Sequence, residues 1–179
     1  MGVYFTPLIS NKLKAKTKIF ITGGTFDKEY NEITGELYFK SSHMYELLEL
    51  GHCRLDVDIE TLMMVDSMEM SKTERNYIIQ KCVEEPVQRI VITHGTDTMV
   101  ETARMLADAI QDKTIVLTGA MIPVKFGSSD GLFNMGSALS FVQALPLGIY
   151  IAMNGQIFNQ ENVKKNQKMG IFEELELTL

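Results

Sequence analysis

Three short segments hold the side chains that could do chemistry: TGGT (residues 22–25), HGTDT (94–98) and TGAM (118–121). A fourth polar cluster, DSMEMS, covers 66–71. Gly23 and Gly24 permit a tight turn with close backbone approach. They would leave the Thr25 hydroxyl beside backbone N–H groups, which suits a nucleophile near an oxyanion site. TGGT satisfies neither the GxGxxG dinucleotide fingerprint nor the GxxxxGK[ST] phosphate loop. Stripped of chemistry, it is simply a polar turn after a strand.

HGTDT puts a second hydroxyl, Thr96, next to a carboxylate, Asp97. Both residue types are also ordinary helix N-caps. A threonine nucleophile needs a base, because its own pKa lies far above neutrality. The histidines offer little. His43 and His52 flank a helical pattern and read as surface residues, and His94 closes a strand. A lysine can serve if it is partly desolvated and held by a carboxylate. Lys164 and Lys165 are placed for that, or else form a solvated pair in a loop. Ser67 and Glu69 are equally open between ligand contacts and caps for the helix that follows.

The elements that must position these groups are legible in outline. Residues 18–22, 89–93, 114–118 and 147–153 are short, near-continuously apolar runs, as expected of strands covered on both faces in a parallel sheet. A fifth, weaker run spans 57–64. Helical periodicity covers 43–51, 71–85, 97–112 and 129–145. Ser71 and Glu74 have the spacing of a capping box, and Pro86 and Pro146 stop two of the helices. The alternation predicts an α/β, doubly wound, mostly parallel sheet flanked by helices in a single domain over 17–179, behind a tail of residues 1–16. Such sheets bind ligands outside the carboxyl ends of their strands, where all four polar clusters fall.

Bulk properties narrow the partners. A net charge of −6 argues against nucleic acid or an anionic membrane, which both reward basic surfaces. No run reaches membrane-spanning length, and the first seventeen residues lack a secretory apolar region. Cys53 and Cys82 have no metal-ligand or CxxC spacing and read as reduced thiols of a cytoplasmic protein.

TGGT, THGTDTMVET and TGAMIP followed by SSDGLFNMGSAL, in that order, resemble the L-asparaginase family of bacterial type I and II enzymes. The resemblance runs from about residue 17 to 170 and covers that family's amino-terminal, flavodoxin-like domain. It implies hydrolysis of a small amide to acid and ammonia, with no metal or organic cofactor. Thr25 matches the acylated nucleophile. Thr96 and Asp97 match a Thr-Lys-Asp triad whose lysine is Lys165, with Lys164 as the nearby rival. Asp97 would also hold the substrate ammonium, and Ser67 its carboxylate. Gly24, Gly95 and Ala120 would line the substrate with backbone. The family's loop tyrosine matches Tyr30, with Tyr38 the alternative nearer the usual spacing.

The match is partial. TGGTFDKEY replaces the usual TGGTIA, and the chain stops where a second domain would continue. A naturally short form is expected, acting as a homodimer. Two alternatives stand beside the hydrolase: a non-catalytic module binding a small amino acid or dicarboxylate, and an ammonia-supplying domain of an amidotransferase assembly.

Overall fold

The computed structural model describes residues 16–175. The expected amino-terminal tail thus lies, except for Lys16, outside the described residues. Six strands form the central sheet: β1 (Thr17–Gly23), β4 (Val57–Val65), β5 (Arg89–Thr93), β6 (Thr114–Thr118), β7 (Gly148–Met153) and β8 (Gln156–Asn159). Their spatial order is β4-β1-β5-β6-β7-β8. All neighbours run parallel except β7 and β8, which form an antiparallel pair. The expected doubly wound α/β sheet is therefore what the chain forms, with one antiparallel edge strand added.

The near-continuous apolar runs are explained by two cores, one on each face. Phe20, Ile90, Ile92, Ile115, Leu117 and Ile151 pack beneath α2 (Lys72–Glu84) and α3 (Met99–Ala109). Ile19, Ile21, Val91, Val116 and Ala152 pack beneath α1 (Met44–Leu50) and α4 (Gly131–Ala144). Successive side chains on a strand point to opposite faces, so both positions of the alternation must be apolar. On α3 the buried stripe is Met99, Thr102, Ala103 and Leu106, with Ile110 closing it. Arg104 and Asp108 occupy the outer face.

Helix ends agree with the expected spans to within one to three residues. Ser71 Oγ accepts the Glu74 N–H, and the Glu74 carboxylate accepts the Ser71 N–H at 2.6 Å, completing the capping box. Two small antiparallel ladders were not foreseen. β2 (Lys28–Tyr30) pairs with β3 (Leu37–Phe39) directly after the TGGT turn, and β9 (Lys164–Asn166) pairs with β10 (Ile171–Glu173) near the end of the described chain. At three residues each, these strands are too short for an alternation pattern to register.

Ser71→Ala removes the hydroxyl half of the capping box. It should cost about 1 kcal/mol, seen as a lower urea midpoint at unchanged denaturant slope.

Candidate active site

The crossover direction reverses between β1 and β5, which makes their carboxyl ends the switch point of the sheet. TGGT leaves β1 there and HGTDT leaves β5. The two segments touch backbone to backbone. A Cβ built on Gly24 would lie 2.4 Å from the Gly95 nitrogen, and Gly24 has φ +78°. One on Gly95 would lie 2.5 Å from Ser67 Oγ, and one on Gly119 would lie 2.5 Å from the His94 carbonyl oxygen. Side chains at these positions would separate the loops, so TGGT, DSMEM, HGTDT and TGAM meet only because glycine stands at each crossing. The Gly24 N–H also donates to the Val65 carbonyl at 3.0 Å. Thr25 follows Gly24 in a single 3-10 turn (Thr25–Asp27) and is half-buried.

Thr96 and Asp97 do not cap α3. Thr98 takes the cap position. Lys165 instead donates from Nζ to Thr96 Oγ1 and to Asp97 Oδ1, both at 2.8 Å. Its side chain is only 8% exposed. Lys164 is 43% exposed and pairs with Glu173 at 3.3 Å. Adjacent residues on β9 face opposite ways, so only one of the two can reach HGTDT. Phe172, directly opposite Lys165 in the ladder and buried, shares its face and backs the aliphatic stem.

Ser67 is buried, and its hydroxyl has no hydrogen-bond partner among the described residues. It is not a helix cap, and an unpaired buried hydroxyl is uncommon enough to suggest a place kept for a ligand. Its carbonyl accepts the Thr98 hydroxyl at 2.8 Å, and Thr98 in turn accepts Arg75 Nη2 at 2.8 Å. The Arg75 guanidinium also donates to the Met70 carbonyl. Arg75 is thereby a buried tie between the DSMEM turn and the start of α3.

Tyr30 is 56% exposed on the β2–β3 hairpin and makes no hydrogen bond to Thr25. The Tyr38 hydroxyl lies 3.5 Å from Glu29. Neither phenol is drawn into the Thr96–Lys165–Asp97 group. Ala120 is buried in the TGAM loop.

Several positioning residues escaped the sequence reading. Asp130 accepts the backbone N–H groups of Met121 and Ile122 at 2.9–3.1 Å. Asn134 donates to the Gly119 carbonyl and to Asp130, and accepts the Asn154 N–H, stitching TGAM to the end of β7. The one available signal was their polarity at the start of an otherwise apolar helix. His43 corrects the expectation of a surface histidine. Its ring is buried, 3.1 Å from Glu29 Oε1 but off the hydrogen-bond direction, because α1 packs it over the turn after Thr25. The His43 backbone N–H donates to Asp27 Oδ1 at 3.1 Å. Burial pushes the Asp27 carboxyl up, against that bond and the nearby Ser42.

His94 is a core residue with a definite tautomer. The Gly95 carbonyl, 2.8 Å from Nδ1, can only accept, so Nδ1 carries the hydrogen and Nε2 accepts the Thr102 hydroxyl at 2.9 Å. Full burial drives its pKa down to about 4. It serves to orient the Gly95 peptide.

The order of these motifs on this sheet matches a family model described as "Asparaginase, N-terminal" across residues 16–173. The chain belongs to the asparaginase family. It is 41% identical over 92 residues to a glutaminase-asparaginase of Acinetobacter glutaminasificans, covering 49% of this chain and 28% of that one. It is 29% identical over 146 residues to a glutamyl-tRNA(Gln) amidotransferase subunit of Thermofilum pendens, covering 76% of this chain and 32% of the relative. The solved L-asparaginase of Thermococcus kodakarensis superposes with a TM-score of 0.76 at 30% identity, over 89% of this chain and 51% of that structure. The chain thus spans about a third or less of these curated relatives and half of the solved enzyme. What it shares with the family is the amino-terminal α/β domain.

The neutral core histidine of this asparaginase-family domain makes a pH prediction. His94 binds its proton in the unfolded chain near pH 6.5 but in the folded one only near 4. Its contribution to stability is therefore intact above pH 6.5 and lost as pH falls toward 4, by about 3 kcal/mol in all. An NMR titration should show the His94 ring still neutral at pH 5.

Proposed function

We propose that the domain is an amidohydrolase that splits a small amide, L-asparagine first among candidates, to the acid and ammonia. The observation that carries this reading is Lys165 buried between Thr96 and Asp97, beside the glycine-bedded turn that presents Thr25. The Ser67 hydroxyl, otherwise unpaired, takes the substrate carboxylate, and Asp97 takes the ammonium. Charge-assisted contacts of this kind fix orientation as well as affinity. Backbone at Gly24, Gly95 and Ala120 walls the pocket without intruding.

Thr25 Oγ attacks the amide carbon, forming the C–O bond. Backbone N–H groups stabilise the oxyanion. The Thr25 proton passes to the amide nitrogen, which leaves as ammonia when the C–N bond breaks. Water, losing a proton toward the Thr96–Lys165–Asp97 group, then cleaves the acyl ester and regenerates Thr25. No metal or organic cofactor enters these steps. Tyr30, or Tyr38 in its place, would act from the hairpin once substrate draws it in.

The likeness to an amidotransferase component supports a second reading, in which the same cleavage supplies ammonia to a partner chain. We also place the protein in the cytoplasm as a homodimer. Free Cys53 and Cys82 support the compartment, and exposed Leu132 and Phe133 on α4 support self-association. No helix among the described residues is long and apolar enough to cross a membrane.

Ammonia release from L-asparagine, L-glutamine and a panel of small amides tests the main reading. Thr25→Ala should lower kcat by about a thousandfold or more. Lys165→Met keeps the stem against Phe172, so it should lose comparable activity at nearly unchanged stability. Ligand binding without ammonia from any amide would favour a non-catalytic module, and co-purification of a stable heteromer would favour the ammonia-supplying role. Light scattering should return twice the chain mass.

A further inference from the structure

The turn that carries Thr25 is tied twice to the same neighbouring segment. Before Thr25, the Gly24 N–H donates to the Val65 carbonyl at 3.0 Å. After it, Lys28 Nζ donates to Asp66 Oδ2. Val65 and Asp66 are the two residues that lead into Ser67. Both members of the ion pair are mostly shielded, with side chains 17% and 29% exposed. A pair shielded to this degree interacts more strongly than one in open solvent. Lys28 is held further by the Phe39 ring, 5.6 Å away and directly opposite it in the β2–β3 ladder.

Asp66 has its own second engagement. Its Oδ1 accepts the Met68 N–H at 3.0 Å, closing a turn around Ser67. Partial burial alone would raise this carboxyl, yet Lys28 and the Met68 N–H hold it below the usual carboxylate range. The Ser67 carbonyl is fixed on the far side by Thr98. The turn is thus gripped from α3 through Thr98 and from the hairpin through Lys28.

We propose that Lys28 is a specificity-setting positioning residue, whose pairing with Asp66 fixes the separation between Thr25 and Ser67 and so selects amides by chain length. The inference rests on the function proposed above, in which Thr25 attacks the amide and Ser67 seats the carboxylate. Asparagine and glutamine differ by one methylene between those two groups, so a rigid separation accepts one and misplaces the other. Lys28 touches neither reacting atom. It acts through Asp66.

The test compares kcat/KM for L-asparagine and L-glutamine in the wild type, Lys28→Met, Asp66→Asn, the double variant and Lys28→Arg. Lys28→Met should reduce the preference between the two amides about tenfold, as expected when reacting groups are no longer held in place. Asp66→Asn and the double variant should match it, and Lys28→Arg should restore most of the preference. Hydrogen exchange reads the same tie without turnover: residues 25–31 and 66–70 should both exchange faster in Lys28→Met and recover in Lys28→Arg. An unchanged preference in Lys28→Met, or a wild type with none, overturns the specificity role. Unchanged exchange in both segments overturns the tie itself. A wild type that releases no ammonia from any amide overturns the proposed function, and the exchange comparison still decides whether Lys28 couples the two segments.

Discussion

The contact on which the site depends is one between two residues without side chains. Gly24 and Gly95 lie closer than any Cβ would permit, at the switch point where the sheet's crossovers reverse. That contact brings the end of β1 against the end of β5, and Gly95 in turn beds against Ser67. Gly119 repeats the device one strand further along, under the His94 carbonyl. Four loops from four strands therefore converge within bonding distance of one another. A side chain at any crossing would push these segments apart.

Around those crossings the polar network is shared between the two faces of the sheet. Arg75 and Thr98 come from the side of α2 and α3, and tie the DSMEM turn to HGTDT. Asp130 and Asn134 come from the side of α4 and hold TGAM. His94 closes the arrangement from within the core, donating to the peptide between Gly95 and Thr96. These groups are bonded and at least partly buried, so each loop is held by more than one element. The protein has little freedom to re-aim Thr96 or Ser67 independently.

The stretch after Thr25 is anchored residue by residue. Phe26 is buried in the core beneath α1 and α4, and Asp27 sits under the start of α1. Lys28 reaches the opposite way to Asp66, and Glu29 lies against the His43 ring. Phe26 and Asp27, in the 3-10 turn, thus anchor on the α1 side, while Lys28 and Glu29, in β2, point to opposite neighbours. The hairpin root is firm, while its outer part, with Tyr30 and Ile33, stands in solvent. Within this run the charged partner is Asp66, which holds Lys28.

The motifs and the central sheet were readable from the chain because they obey local rules. Apolar runs of strand length, a capping box, proline stops and glycine-threonine turns each act over a few residues. The order of TGGT, HGTDT and TGAM carried the family with it, and the choice of Lys165 came from that likeness rather than from spacing. The hairpins at 28–39 and 164–173 are too short to show a period, and the burial of His43 arises from the packing of α1 over a distant turn. Asp130, Asn134, Arg75 and Lys28 looked like ordinary surface polarity, since their partners lie 8 to 38 residues away or across a helix. Propensity and pattern, acting within a few residues, were enough to set the fold class and the chemical groups on offer. Which of those groups meet is a matter of packing between distant segments, because a hydrogen bond or an ion pair depends on distances of a few ångströms that no local rule encodes.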